Sequence, residues 1–279
     1  MNSEAWLGYF SNNQRADSEV PETCGAELEP LVRAELASSI ARFQLGEVSG
    51  GRIAREVETA RDPALDPATR RAIQLYVLEE GRHARELYRL LLALGGSPLQ
   101  KHWSSDWFRR VRRCLGLRTK LLTMGVAEVV GIVYYGAVRD AVPCAVTRRV
   151  LDVIAREEKR HLDFQAEWCA RVIARAPVLW RPFLIGWIAL RFGAILLAAV
   201  LSVLSDHRRV LGALGVPPST YIRGCFAELA LRRRFFTAGD FSQKTALSAL
   251  APLAGPALAS EFPSSIRHSK PRAESRPRG

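Results

Sequence analysis

Two short stretches of the chain carry the same five-residue pattern. Residues 79–83 read Glu-Glu-Gly-Arg-His and residues 157–161 read Glu-Glu-Lys-Arg-His, in a chain of 279 residues with only 5 histidines. Residues three apart on an α-helix share a face, so Glu80 with His83, and Glu158 with His161, can each offer a carboxylate oxygen and an imidazole nitrogen to one ion. A single Glu-x-x-His is better explained by a solvated helix face. Two copies on apolar stripes are not. Ile73, Tyr76, Val77, Leu87, Leu91 and Leu94 recur at three- and four-residue steps around the first pair. Leu151, Ile154, Trp168 and Val172 do the same around the second, so both pairs point toward a core.

Two more acids stand on stripes of their own. Glu47 lies among Ile40, Phe43, Ala54 and Val57, and Glu128 among Leu121, Met124, Ile132 and Tyr135. Buried carboxylates without partners are costly or take up protons, so four of them converging with two imidazoles require compensating positive charge. Two divalent cations balance four carboxylates charge for charge. Oxygen and imidazole donors without thiolates suit iron or manganese, and one Glu from each of two helices plus Glu-x-x-His from two others is the donor set of di-iron carboxylate bundles. The candidate metal ligands are therefore Glu47, Glu80, His83, Glu128, Glu158 and His161. The competing reading is a buried polar network satisfied without metal.

These residues need helices to bring them together, and the sequence supplies them. Helix formers dominate and no stretch alternates like a strand between hairpin turns, so the fold class is all-α. The apolar spacing predicts a first helix from Leu31 to Thr59. Asp62-Pro63 and Asp66-Pro67 separate it from a second, for which Asp66 is a cap and Pro67 suits the first turn. Gly95-Gly96-Ser97-Pro98 ends that helix, an irregular connection runs from Leu99 to Gly116, a third helix continues to Ala141, and a fourth runs from Pro143 to Pro177. Short, long and short links suit an antiparallel four-helix bundle whose second and third helices are joined by a crossover. The predicted organisation is a partly disordered segment at 1–30, the bundle at 31–176, a helical extension at 177–250 with an apolar helix at 183–204, and a disordered basic tail at 251–279. A second, amphipathic helix of the extension is predicted from Pro218 to Phe236.

On these motifs the chain resembles the ferritin-like di-iron superfamily, which includes acyl-carrier-protein desaturases, aldehyde-deformylating oxygenases, rubrerythrins and the small ribonucleotide reductase subunit. Glu80-Gly81-Arg82-His83 and Glu158-Lys159-Arg160-His161 look most like the paired motifs of the desaturases. The resemblance implies that Glu80 and Glu158 bridge two metal ions and that Glu47 and Glu128 are terminal ligands. It also implies two iron ions, with iron–manganese or manganese pairs as variants, O₂ as co-substrate and an external electron-donor protein. Tyr88 departs from the reductase pattern, because a radical tyrosine stands where Leu87 is found here. A rubredoxin-like cysteine set is also missing, and the chain is shorter than the desaturases. The expected activity is an O₂-dependent oxidation of the hydroxylase, desaturase or N-oxygenase type. Iron handling by a ferroxidase, and a metal-clipped bundle without catalysis, are the alternatives. Gly50 and Gly51 after Glu47, and Gly125 and Gly131 around Glu128, leave room for a substrate or for close helix packing. Gln44, Tyr135 and Phe164 are candidate cavity-lining residues.

The formal charge is +12, much of it in Arg109, Arg110, Arg112 and Arg113, in Arg232 to Arg234, and in the tail. Such runs are solvated faces in the plain reading and contacts for lipid headgroups or an acidic carrier protein in the sharper one. Trp103, Trp107 and Phe108 precede the first run, which points to a lipid- or carrier-linked substrate. Nucleic acid is the least favoured partner, since no binding motif accompanies the charge. Phe183 to Leu204 is long enough to span a bilayer, but Arg191 at its middle costs roughly 2.5–3.5 kcal/mol there. Three readings follow: a helix packed on the bundle or on a homodimer partner, an interfacial helix, and a span. The 5 cysteines contain no C-x-x-C pair and read as reduced thiols. Residues 1–30 carry neither a secretory nor a transit signal, so the expected location is cytoplasmic with peripheral membrane association.

Overall fold

Why each helix starts and stops where it does is visible in the computed structural model, which describes residues 2–48, 51–113 and 115–231. Gly50, Cys114, Arg232 to Arg234, the tail and the end of the predicted Pro218–Phe236 helix lie outside the described residues, as do the side chains of Arg112 and Arg113. No strand occurs among the described residues.

Helix α1 (Ser3–Asn12) starts from Asn2, whose side chain accepts from the Ala5 amide at 2.8 Å. It lies within the segment expected to be partly disordered. Trp6 and Phe10, one turn apart, are its buried residues and pack it onto the bundle. The predicted first helix is two, α2 (Pro30–Glu47) and α3 (Gly51–Thr59). A sequence cause is Gly51, the first residue of α3, since a glycine costs about 1 kcal/mol relative to Ala inside a helix. The break leaves Glu47 as the last residue of α2.

Helix α4 (Pro67–Ala93) is capped by Asp66, which accepts from the Thr69 amide at 2.8 Å, with Pro67 at its start. It ends at Gly95, whose φ of +81° favours glycine. Gly96 follows because α2 passes close by: a Cβ there would lie 2.9 Å from the Ala37 Cβ and 2.3 Å from Leu91 Cδ1. The connection expected to be irregular contains α5 (Trp103–Arg113). Pro143 separates α6 (Leu117–Ala141) from α7 (Ala145–Arg175), and a short 3-10 turn, Val178–Trp180, leads into α8 (Arg181–Ala213) before α9 (Pro218–Leu231).

Helix α2 packs on α4, α6 on α7, and α4 on α7, while α8 lies against α2 and α6 and α1 against α4. This arrangement brings the middle of α4 against the middle of α7. Cys24, Cys144, Cys169 and Cys225 are thiols, as expected.

Among the described residues, two helices are long and apolar enough to cross a membrane, Leu117–Ala141 and Val178–Ala213. The first is a core helix, with 78% of its most apolar window buried inside the protein, against 28% for the second. Ile188, Phe192, Leu196 and Val203 of α8 pack inward, while Phe183, Trp187, Leu190, Leu197 and Leu201 form an exposed stripe at helical spacing. Arg191, one turn after Trp187, is partly sequestered: its Nη1 donates to Thr119 Oγ1 at 2.6 Å and its guanidinium lies over the Trp187 ring of the stripe.

Candidate metal centre

The paired helices α4 and α7 deliver Glu80, His83, Glu158 and His161 to one buried place, with a ligand atom from each within 4.8 Å of all the others. The three-residue spacing does this on each helix. The two imidazole centroids stand 5.5 Å apart, and both rings turn Nδ1 inward. His83 Nδ1 is 3.0 Å from Glu158 Oε1. His161 Nδ1 is 2.9 Å from Glu80 Oε1, 3.1 Å from Glu158 Oε2 and 3.9 Å from Glu128 Oε2.

The outer ring nitrogens cross between the repeats. His83 Nε2 meets Glu157 Oε2 at 2.8 Å, and His161 Nε2 meets Glu79 Oε2 at 2.9 Å. The first glutamate of each repeat therefore orients the histidine of the other. An imidazole whose outer N–H is donated to a carboxylate has its other nitrogen fixed as a metal-facing lone pair. Glu79 and Glu157 are themselves held. Asn13 Nδ2 donates to both, at 2.9 and 3.3 Å, Arg82 Nη2 lies 3.0 Å from Glu157 Oε1, and Arg15 bridges Glu157 and Glu86 at 2.9 and 2.6 Å. Burial alone would raise the Glu157 carboxyl, but His83, Arg15 and Arg82 hold it well below the usual carboxylate range.

The electrostatics show which charge the cluster favours. Burial works against a charged His83, yet Glu158, Glu157 and Glu80 raise its pKa to about 10. His161 moves upward against the same burial through Glu158, Glu79 and Glu80. The protein thus draws positive charge into this space. A proton is a poor substitute for a cation here, because one N–H cannot serve the three carboxylate oxygens around His161 Nδ1. Glu80 Oε1, though close to that nitrogen, is buried without a directed hydrogen bond. The donor set and the crowding fit a divalent metal.

The other two predicted ligands flank this group. Glu128 is buried and accepts from the Tyr76 hydroxyl, which in turn accepts from Gln165 Nε2 at 2.8 Å. Half-buried Glu47 accepts from the Tyr135 hydroxyl at 2.8 Å. Its carboxyl is pushed well above the ordinary range by burial and then by Glu80 and Glu158, so it faces the same excess of negative charge.

A cavity of about 190 Å³ meets the cluster on one side, with Glu47, Glu80, Glu128 and Glu158 at its inner end. Phe43, Met124, Ala127, Gly131 and Ala199 form apolar walls, and Arg42, Ser104, Ser105, Asp206 and His207 form a polar end, the rim. Of the residues expected to line it, Gly131 does. Gln44, Tyr135 and Phe164 do not: Tyr135 is committed to Glu47, and Phe164 packs edge-on against Trp6 and Phe10. Gly125 is buried in α6 outside the lining, and Gly51 opens α3. Tyr88 is at the surface.

The orienting residues Glu79, Glu157, Arg82, Asn13 and Arg15 were not singled out from the sequence. The available signal was that the whole five-residue pattern repeats, rather than Glu-x-x-His alone. Comparison with protein-family models, curated proteins and solved structures gives no match, so the chemistry of the site must be argued from its own geometry.

Proposed function

We propose that the chain is a ferritin-like di-iron protein whose four-helix bundle is α2, α4, α6 and α7, and that it uses O₂ to oxidise an organic substrate held in the cavity. One observation carries this reading. Two reciprocally oriented Glu-x-x-His pairs share a buried space whose open side faces an apolar cavity. Glu80, His83, Glu158 and His161 are the central ligands, and Glu47 and Glu128 complete the set. An iron pair bound there, reduced by an external donor, supplies reductive activation of O₂. The protein's own part is positional. Glu79 and Glu157 fix the two imidazoles, Tyr76 and Tyr135 hold the flanking carboxylates, and Phe43, Met124 and Ala199 keep water from the reacting side.

The apolar walls of the cavity and Arg42 in its lining favour an organic occupant over the passage of metal ions. Reconstitution with Fe(II) under anaerobic conditions tests the reading. Two irons per chain and substrate-stimulated O₂ uptake are the expected result, and protein that holds no stoichiometric iron sinks it.

The exposed stripe of α8, next to the exposed Arg208 and Arg209, is the surface we assign to peripheral contact with an anionic membrane. Cosedimentation with phosphatidylserine vesicles is the expected result, and a soluble dimer that buries the stripe overturns it.

A further inference from the structure

The two ends of the cavity differ in charge, and that difference has a direction. The inner end is crowded with carboxylates. At the rim stands Arg42, five residues before Glu47 on α2 and so about 7.5 Å away along the helix axis. Its Nη1 donates to the Asp206 backbone carbonyl at 2.9 Å, while its Nε is buried with no hydrogen-bond partner. No carboxylate pairs with this guanidinium among the described residues. The nearby Asp206 carboxylate is taken by Trp103 Nε1 at 3.1 Å and by His102 at 3.6 Å.

Beside Arg42, His207 is only 5% exposed. Its Nδ1 meets Ser39 Oγ at 2.6 Å, and Ser39 also contacts the Tyr134 hydroxyl. Ser39 Oγ can accept from the Tyr134 hydroxyl and donate to His207 Nδ1, and in that tautomer His207, which lines the cavity, offers its Nε2–H as a donor. Burial, reinforced by Arg42 and His102, lowers the imidazole to about 3 and keeps it neutral. The rim thus combines an unpaired guanidinium with a neutral imidazole.

We propose that this rim binds the carboxylate of an amphipathic organic acid, whose apolar body lies along Phe43 and Met124 with its far end at Glu80 and Glu158. A guanidinium fork matches a carboxylate, and partial desolvation beside the buried His207 strengthens the pair. The reverse orientation would set the acid against four carboxylates. The proposal builds on the cavity as the substrate site of the function given above, but anion binding at Arg42 does not need the metal.

The test is calorimetric titration of the full metal-free chain with sodium octanoate and 1-octanol. Octanoate is expected to bind at least tenfold more tightly than 1-octanol. Arg42→Gln should remove that preference while leaving 1-octanol binding unchanged, and Arg42→Lys should keep part of it. His207→Gln, which keeps a side-chain N–H donor, should weaken octanoate binding less than Arg42→Gln does. Equal binding of the two probes, a preference for 1-octanol, no binding of either probe, or an unaltered preference in a folded Arg42→Gln protein overturns the proposal. Octanoate preference in protein that takes up no iron pair leaves the rim site standing and removes the di-iron reading. Two irons without octanoate preference does the opposite.

Discussion

The candidate metal centre has two sides of opposite construction. Toward α1 it is closed by charge: Glu79 and Glu157 tie the outer imidazole nitrogens to Asn13, Arg15 and Arg82. Toward α2, α6 and α8 it is open, and the carboxylates there meet an apolar cavity. The closed side sets the geometry and basicity of the histidines, while the open side controls what reaches them. Damage to one side should therefore leave the other's property in place.

The largest effect is expected where both sides meet. His161→Ala removes an inner donor and leaves Glu80, Glu158 and Glu79 without their shared partner, so iron binding should be lost altogether, as elemental analysis of reconstituted protein will show. On the closed side, Glu157→Gln should weaken metal affinity by roughly 10–100-fold, the usual scale for an orienting carboxylate, while octanoate binding to the metal-free chain stays unchanged. On the open side, Ala199→Phe places a ring in the cavity from a buried wall position and should abolish octanoate binding with two irons retained. A loss of iron there, or of octanoate binding in Glu157→Gln, breaks the comparison.

Smaller effects appear in the pH dependence of thermal unfolding, and the two sides differ in sign. The folded pKa of His83, about 10, lies above its ordinary value near 6.5. Its stabilisation is therefore complete below pH 6.5 and is lost as pH rises through 10. Metal-free protein should show this alkaline loss and iron-loaded protein should not. His207, at about 3, binds protons more readily when unfolded, so its contribution is present above pH 6.5 and declines as pH falls toward 3. His207→Gln should flatten that acid limb, the smallest change of the set.

The parts of this centre that could be read from sequence are those where one helix suffices. Glu80 with His83 and Glu158 with His161 lie on stripes of period 3.6, so their inward direction follows from their neighbours. Glu157 is different: its partner His83 is on another helix, and no spacing along α7 reveals that contact. Arg15 and Asn13 are harder still, because only the packing of Trp6 and Phe10 brings their segment to the site. The break after Glu47 was missed because Gly50 and Gly51 were read as room for a substrate. Apolar composition was equally ambiguous for α6 and α8, since burial on all sides and burial on one side ask for the same residue types. The double motif and Pro67 with Asp66 succeeded because each acts within a turn or two of itself.

The crossed contacts from His83 to Glu157 and from His161 to Glu79 tie the two repeats into one thermodynamic unit. With two ions bound, fixing one imidazole also fixes the helix that carries the acid holding the other. Half-loaded protein should then be scarce, and metal uptake cooperative. A sigmoidal Fe(II) titration, becoming hyperbolic when Glu79→Gln and Glu157→Gln are combined, would be the signature of that coupling.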